Sequence, residues 1–116
     1  MKTMRNFILA TVALVPGLAL AHAKLELTIP AADSSIAAMP AQVMLHFSEA
    51  VKITAITIEK EGGKDRVELK VPTEATPMAQ AQAPKLGAGV YVLNWRALSD
   101  DGHVMSGTVR FTVTGK

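Results

Sequence analysis

The sequence contains no cysteine. That excludes disulfides and thiolate metal ligands. Stability must therefore come from a hydrophobic core, and any metal site must use histidine, carboxylate, methionine or a free amino terminus. Aromatic residues are scarce, with one Trp, one Tyr and three Phe. An excess of one charge is also lacking. The formal +2 comes from 12 basic against 10 acidic residues, and Lys2 and Arg5 supply the difference. There is no basic cluster, which argues against nucleic acid as a partner. A phosphate-binding glycine loop is missing. Without cysteine only Ser or Thr is left as a nucleophile, and the histidines offer no base arrangement for either. The longest apolar run, Phe7 to Val15, is broken by Pro16-Gly17.

That run gives the amino terminus its meaning. Lys2 and Arg5 precede it, and Ala19-Leu20-Ala21 follows it as a small-x-small cleavage pattern. Together they form the layout of a secretory signal peptide. The other reading, a single anchoring helix, meets a stretch that is short and broken against the roughly 20 residues a span needs. Residues 1–21 are therefore expected to be removed on export, leaving residues 22–116 as one domain with room for one modest core. Cleavage after Ala21 makes His22 the first residue. Cleavage after Ala23 fits the same rule and leaves Lys24 first, so the pattern alone leaves both open.

The remaining chain reads as strands and turns. Leu25, Leu27 and Ile29 alternate with polar residues, as do Val43, Leu45 and Phe47, which is the period of a half-buried strand. Residues 30–40 read as a loop. Residues 51–60 are rich in Ile and Thr, and their apolar phase shifts between Val51/Ile53 and Ile56/Ile58, which predicts a bulge or burial on both sides. Gly62-Gly63 marks a hairpin into Val67, Leu69 and Val71. Residues 72–84 hold three prolines with Ala, Gln and Thr and read as loop. Tyr91, Leu93, Trp95 and Ala97 share one face, and Val109, Phe111 and Val113 point inward from a last strand. Trp95 is expected in the core. Six or seven short strands in one small domain predict an all-β sandwich with Greek-key connections.

The candidate chemistry lies in the histidines His22, His46 and His103. Asp101-Gly102-His103 places a carboxylate and an imidazole two apart in a glycine turn. On its own that spacing fits a solvated turn. A free amino-terminal His22 changes its meaning, because the α-amino nitrogen and Nδ1 of one residue can close a ring on a metal. His103 and Asp101 would then complete a planar, nitrogen-rich set. Such a set in tetragonal geometry favours Cu(II), and Zn(II) would accept the same atoms less selectively. The amino group has an ordinary pKa of about 7.7 to 8.0 and must lose its proton to bind, so affinity is expected to weaken as pH falls. His46 lies on the outward side of its strand and reads as a surface histidine. Glu49 ends that strand, where a carboxylate can approach the metal. Asp100 reads as a solvated turn carboxylate. Met39, Met44, Met78 and Met105 are scattered and read as core or surface residues.

These residues resemble the CopC/PcoC family of periplasmic copper-resistance proteins, also called YobA-like. The resemblance is carried by His22 to Leu25, Pro30 to Ser34, Leu45 to Glu49, and Tyr91 to Gly107 with the strand that follows. It implies a seven-stranded, immunoglobulin-like Greek-key sandwich or barrel and a copper carrier without enzymatic turnover. It implies a Cu(II) site made by His22, Asp101 and His103, and Glu49 matches a residue discussed on the Cu(II) side. It favours cleavage after Ala21, and it implies delivery to an inner-membrane partner resembling the CopD family. Two departures leave the ligands intact: Ala23 stands where many members have Pro, and Asp101-Gly-His-Val replaces Asp-Thr-His-Pro. A larger departure is the absence of a methionine-rich loop. Lys52 to Val71 contains neither Met nor His, so one Cu(II) per chain and no Cu(I) site are expected. Two other functions stand beside this one. A metal-free partner-binding module needs only the sandwich. A copper-dependent oxidative enzyme, resembling lytic polysaccharide monooxygenases, needs an aromatic substrate face, and Tyr91 and Trp95 are both predicted inward.

Overall fold

Strict alternation of apolar and polar side chains builds strands, since successive residues point to opposite faces. The computed structural model describes residues 23–116 and contains seven strands and no helix among them. They are β1 (Leu25–Ile29), β2 (Ser35–Ile36), β3 (Gln42–Lys60), β4 (Arg66–Glu68), β5 (Thr76–Gln82), β6 (Gly89–Leu98) and β7 (Val104–Val113). The expected signal peptide, residues 1–21, and His22 lie outside the described residues.

β3 organises the architecture. It is 19 residues long and serves both layers. Its first half pairs with β1 and β5, and its second half pairs with β4 and β6. β7 continues the second layer from β6, and the short β2 runs parallel to β7 at the edge. The result is the expected all-β, immunoglobulin-like sandwich. The bend comes with the phase shift seen in the sequence. Val51 and Ile53 point inward, as do Ile56 and Ile58, and the register against β6 slips between Ile53 and Ala55. One extra residue in a strand both resets its inward face and bends it.

The core is closed by aromatic contact between the layers. Phe47 and Trp95 meet edge to face with ring centroids 5.2 Å apart. Trp95 is 7% exposed, a core residue as expected. Its indole lies over Gly107, the residue opposite on β7. A Cβ at position 107 would sit 2.9 Å from the ring, so the close approach of strand and indole requires glycine there. At the other end of β7, Arg110 donates to Glu61 in the turn after β3 at 2.8 Å. That hydrogen bond first, and the Glu61 charge second, raise the guanidinium pKa above its ordinary value. The guanidinium stays ionised around neutral pH, so its raised pKa gives stability no pH dependence there.

Four segments differ from the sequence expectation. In β1 the register slips between Leu25 and Leu27, so Thr28 turns inward while Leu27 and Ile29 are left exposed. Residues 76–82, read as loop, form β5. Ala79 and Ala81 are 0% and 3% exposed, so the strand is held by small inward residues pressed close to β3 rather than by large ones. Pro77 is tolerated because β5 is an edge strand and its register with β3 breaks between His46 and Val51, beside that proline. Residues 35–36 form β2 within an expected loop. The strand expected from Arg66 to Val71 is shortened to β4, an exposed edge.

Candidate metal centre

The β6–β7 connection follows directly from its sequence. Ser99 ends the inward run of β6 and is 9% exposed. Asp100, Asp101 and Gly102 cannot extend the strand, and Gly102 takes φ +88°, a left-handed conformation that favours glycine. The chain reverses there and His103 leads into β7. Hydrogen bonds hold the turn at both ends. Gly102 N–H donates to the Ser99 carbonyl at 2.9 Å, and Ser99 N–H donates to the His103 carbonyl at 2.9 Å.

Within this turn Ser99 acts as a pin. Its hydroxyl donates to Asp101 Oδ1 and accepts from His103 N–H at 3.2 Å. Asp101 Oδ1 also accepts from His103 N–H at 3.4 Å. The second carboxylate oxygen, Oδ2, lies 3.3 Å from His103 Nδ1. Both side chains stay accessible, His103 at 66% and Asp101 at 53%. The carboxylate thus faces one ring nitrogen, an arrangement that orients the ring. Sequence reasoning paired Asp101 with His103 and missed Ser99. The available signal was a small hydroxyl residue just before an Asp-Asp-Gly turn, a position where Ser commonly bonds nearby backbone.

Ser99→Ala removes the pin without removing a donor atom. It is expected to cost about 1–2 kcal/mol of stability, as loss of a part-buried hydrogen-bond partner does. Urea unfolding would check this.

The other residues singled out in the sequence are placed as follows. Among the described residues no group of three or more His, Cys, Asp or Glu comes together. His22, the expected third partner, lies outside them. What is described is where the chain arrives just after position 22. Ala23 is buried at 6%. Lys24 N–H donates to Ser48 Oγ at 2.8 Å, and Ser48 N–H donates back to the Lys24 carbonyl at 2.8 Å. Glu49 is exposed beside that anchor. The next residues, Ala50 to Lys52, line a cavity of about 220 Å³ together with Ser99 and Asp100. The arriving chain, Glu49 and the Asp101–His103 turn therefore share one end of the sandwich. His46 does not join them; it is half-buried on the outer face of the first layer.

The chain resembles known proteins along most of its length. The family model for the CopC domain matches residues 25–114. A protein named "Copper resistance protein C" in Escherichia coli is 37% identical over 106 residues, covering 82% of this chain and 83% of that one. The crystal structure of CopC from Methylosinus trichosporium OB3b superposes with a TM-score of 0.68 at 33% identity, covering 80% of this chain and 94% of that one. A longer protein, "Copper transport protein CutJ" of Bacillus subtilis, is 31% identical over 123 residues, which covers 97% of this chain but 22% of that protein.

Proposed function

Because the chain belongs to the CopC domain family, we propose that it is a periplasmic carrier holding one Cu(II) ion through His22, Asp101 and His103. Its relatives are copper-resistance proteins, and its function is copper-related. In this reading residues 1–21 are a signal peptide and cleavage after Ala21 frees the His22 amino group. The amine and Nδ1 of His22 chelate the ion from one side. His103 adds a second imidazole, and Asp101 adds a carboxylate oxygen. Nitrogen-rich, tetragonal sets of this kind select Cu(II). Copper is cargo here and no reaction is catalysed.

The observation that carries the reading is the 3.3 Å Asp101–His103 contact on a glycine-formed turn, at the end of the sandwich where Ala23 and Lys24 are seated. A metal-free binding module has no need of that pairing. The oxidative-enzyme alternative loses its substrate face, since Tyr91 and Trp95 are 5% and 7% exposed. Delivery to a membrane transporter resembling the CopD family is supported by the longer copper transport protein that contains a region like this chain. Cu(II) titration of the exported chain, followed by electron paramagnetic resonance, tests the proposal. A nitrogen-ligated tetragonal signal that saturates at one equivalent supports it, and a spectrum of aqueous Cu(II) contradicts it.

A further inference from the structure

The outer face of the β1–β3–β5 layer carries side chains that the sequence keeps far apart. On β3, Val43, Leu45 and Phe47 are at most 1% exposed and point inward. Met44 and His46, between them, therefore point outward. On β5, Ala79 and Ala81 point inward, so Met78 points outward, and it is 45% exposed. The register then decides who meets. His46 lies directly opposite Met78, and Met44 lies opposite Gln80 in the next row. Directly opposed residues have Cβ atoms about 4.5–5.5 Å apart, and diagonal neighbours such as Met44 and Met78 about 7–8 Å. Met44 and His46 are two residues apart on one strand, about 6.5 Å. Methionine has three rotatable bonds beyond Cα and a polarizable thioether. Two thioethers and an imidazole can therefore converge above these rows.

The surroundings fit a soft, singly charged ion. Leu27 lies opposite His46 on its other side and Ile29 opposite Met44. They are 49% and 41% exposed, large apolar residues left on the surface. None of the residues in these two rows is a carboxylate, so they offer no anionic oxygen to a hard cation. Thioethers with an imidazole are a Cu(I) donor set. We propose that His46, Met44 and Met78 form a Cu(I) site on the outer face of this layer, separate from the Asp101–His103 turn. The expectation of no Cu(I) site looked for methionines close in sequence between residues 52 and 71. Sheet pairing across β3 and β5 brings them together instead. No residue is shared with the proposed Cu(II) site, so either site can fail without the other.

The test uses the exported chain labelled at its methionine methyls, with Ag(I) as a redox-inert stand-in for Cu(I). The first equivalent is expected to shift the Met44 and Met78 methyls and the His46 ring, leaving Met39 and Met105 unmoved. Anaerobic competition for Cu(I) against a chromophoric chelator then compares variants. His46→Ala, and the Met44→Leu/Met78→Leu pair, are each expected to weaken Cu(I) binding at least about tenfold. His103→Ala should leave it unchanged. Methionine to leucine conserves volume on an exposed face, so circular dichroism should match the parent. A first equivalent that moves only His103, Met39 or Met105 overturns the proposal, with or without variants. So does unchanged Cu(I) affinity in the methionine pair.

Discussion

His103→Ala is expected to lower Cu(II) affinity at least about 100-fold and to leave folding stability almost unchanged. Losing an outer partner of a ligand already costs about 10–100-fold, and His103 is proposed as the ligand itself. In free energy a 100-fold loss is about 2.8 kcal/mol. The stability side follows from exposure. The imidazole is 66% exposed and packs into no core, and surface substitutions of that kind stay within about 0.5 kcal/mol. The main-chain bonds of the turn, from Gly102 to Ser99 and from Ser99 to His103, do not depend on the ring. Competition titration against a Cu(II) chelator, together with urea unfolding of the metal-free chain, separates the two effects. A variant that keeps parental affinity would remove His103 from the site. A variant that loses both affinity and stability would make its role structural.

Phe47→Ala should do the reverse and unfold the domain well before it touches the metal chemistry. Phe47 is 1% exposed and joins the two layers through its contact with Trp95. Truncating a buried phenylalanine costs about 3–5 kcal/mol through lost transfer energy and the cavity left behind. A single domain holds about 5–15 kcal/mol in all, and this one has no disulfide to limit the loss. Phe47 also precedes Ser48, which anchors Lys24 from both sides. The midpoint of urea unfolding is expected to fall sharply in the metal-free protein. Saturating Cu(II) should recover part of the loss, since a ligand that binds only the folded state stabilises it. A loss below about 1 kcal/mol would mean that the core collapses around the gap, contrary to its tight edge-to-face packing.

Much of the fold was legible because inward residues keep a period of two. Tyr91, Leu93, Trp95 and Ala97 were placed on one face from spacing alone, and all are buried. The bulge in β3 was legible as a phase shift between Ile53 and Ile56. β5 was not, because its inward residues are two alanines between prolines. Small side chains carry little hydrophobic signal, and only the neighbouring strand shows why they are needed. The same limit applies to sites. Asp101 and His103 are close in sequence, so a turn sufficed to pair them. His46 and Met78 meet only through the register of β3 with β5, and no local pattern in either strand announces it. Ser99 is an intermediate case, visible as a turn residue but not as the group that holds both others.

In the proposed site the His22 α-amino nitrogen becomes a ligand only if the chain is cut after Ala21. Native mass spectrometry of the exported protein with one equivalent of Cu(II) tests it most directly. The predicted result is a chain beginning at His22 and carrying a single copper ion. A chain beginning at Lys24, or one beginning at His22 that retains no copper, would contradict it.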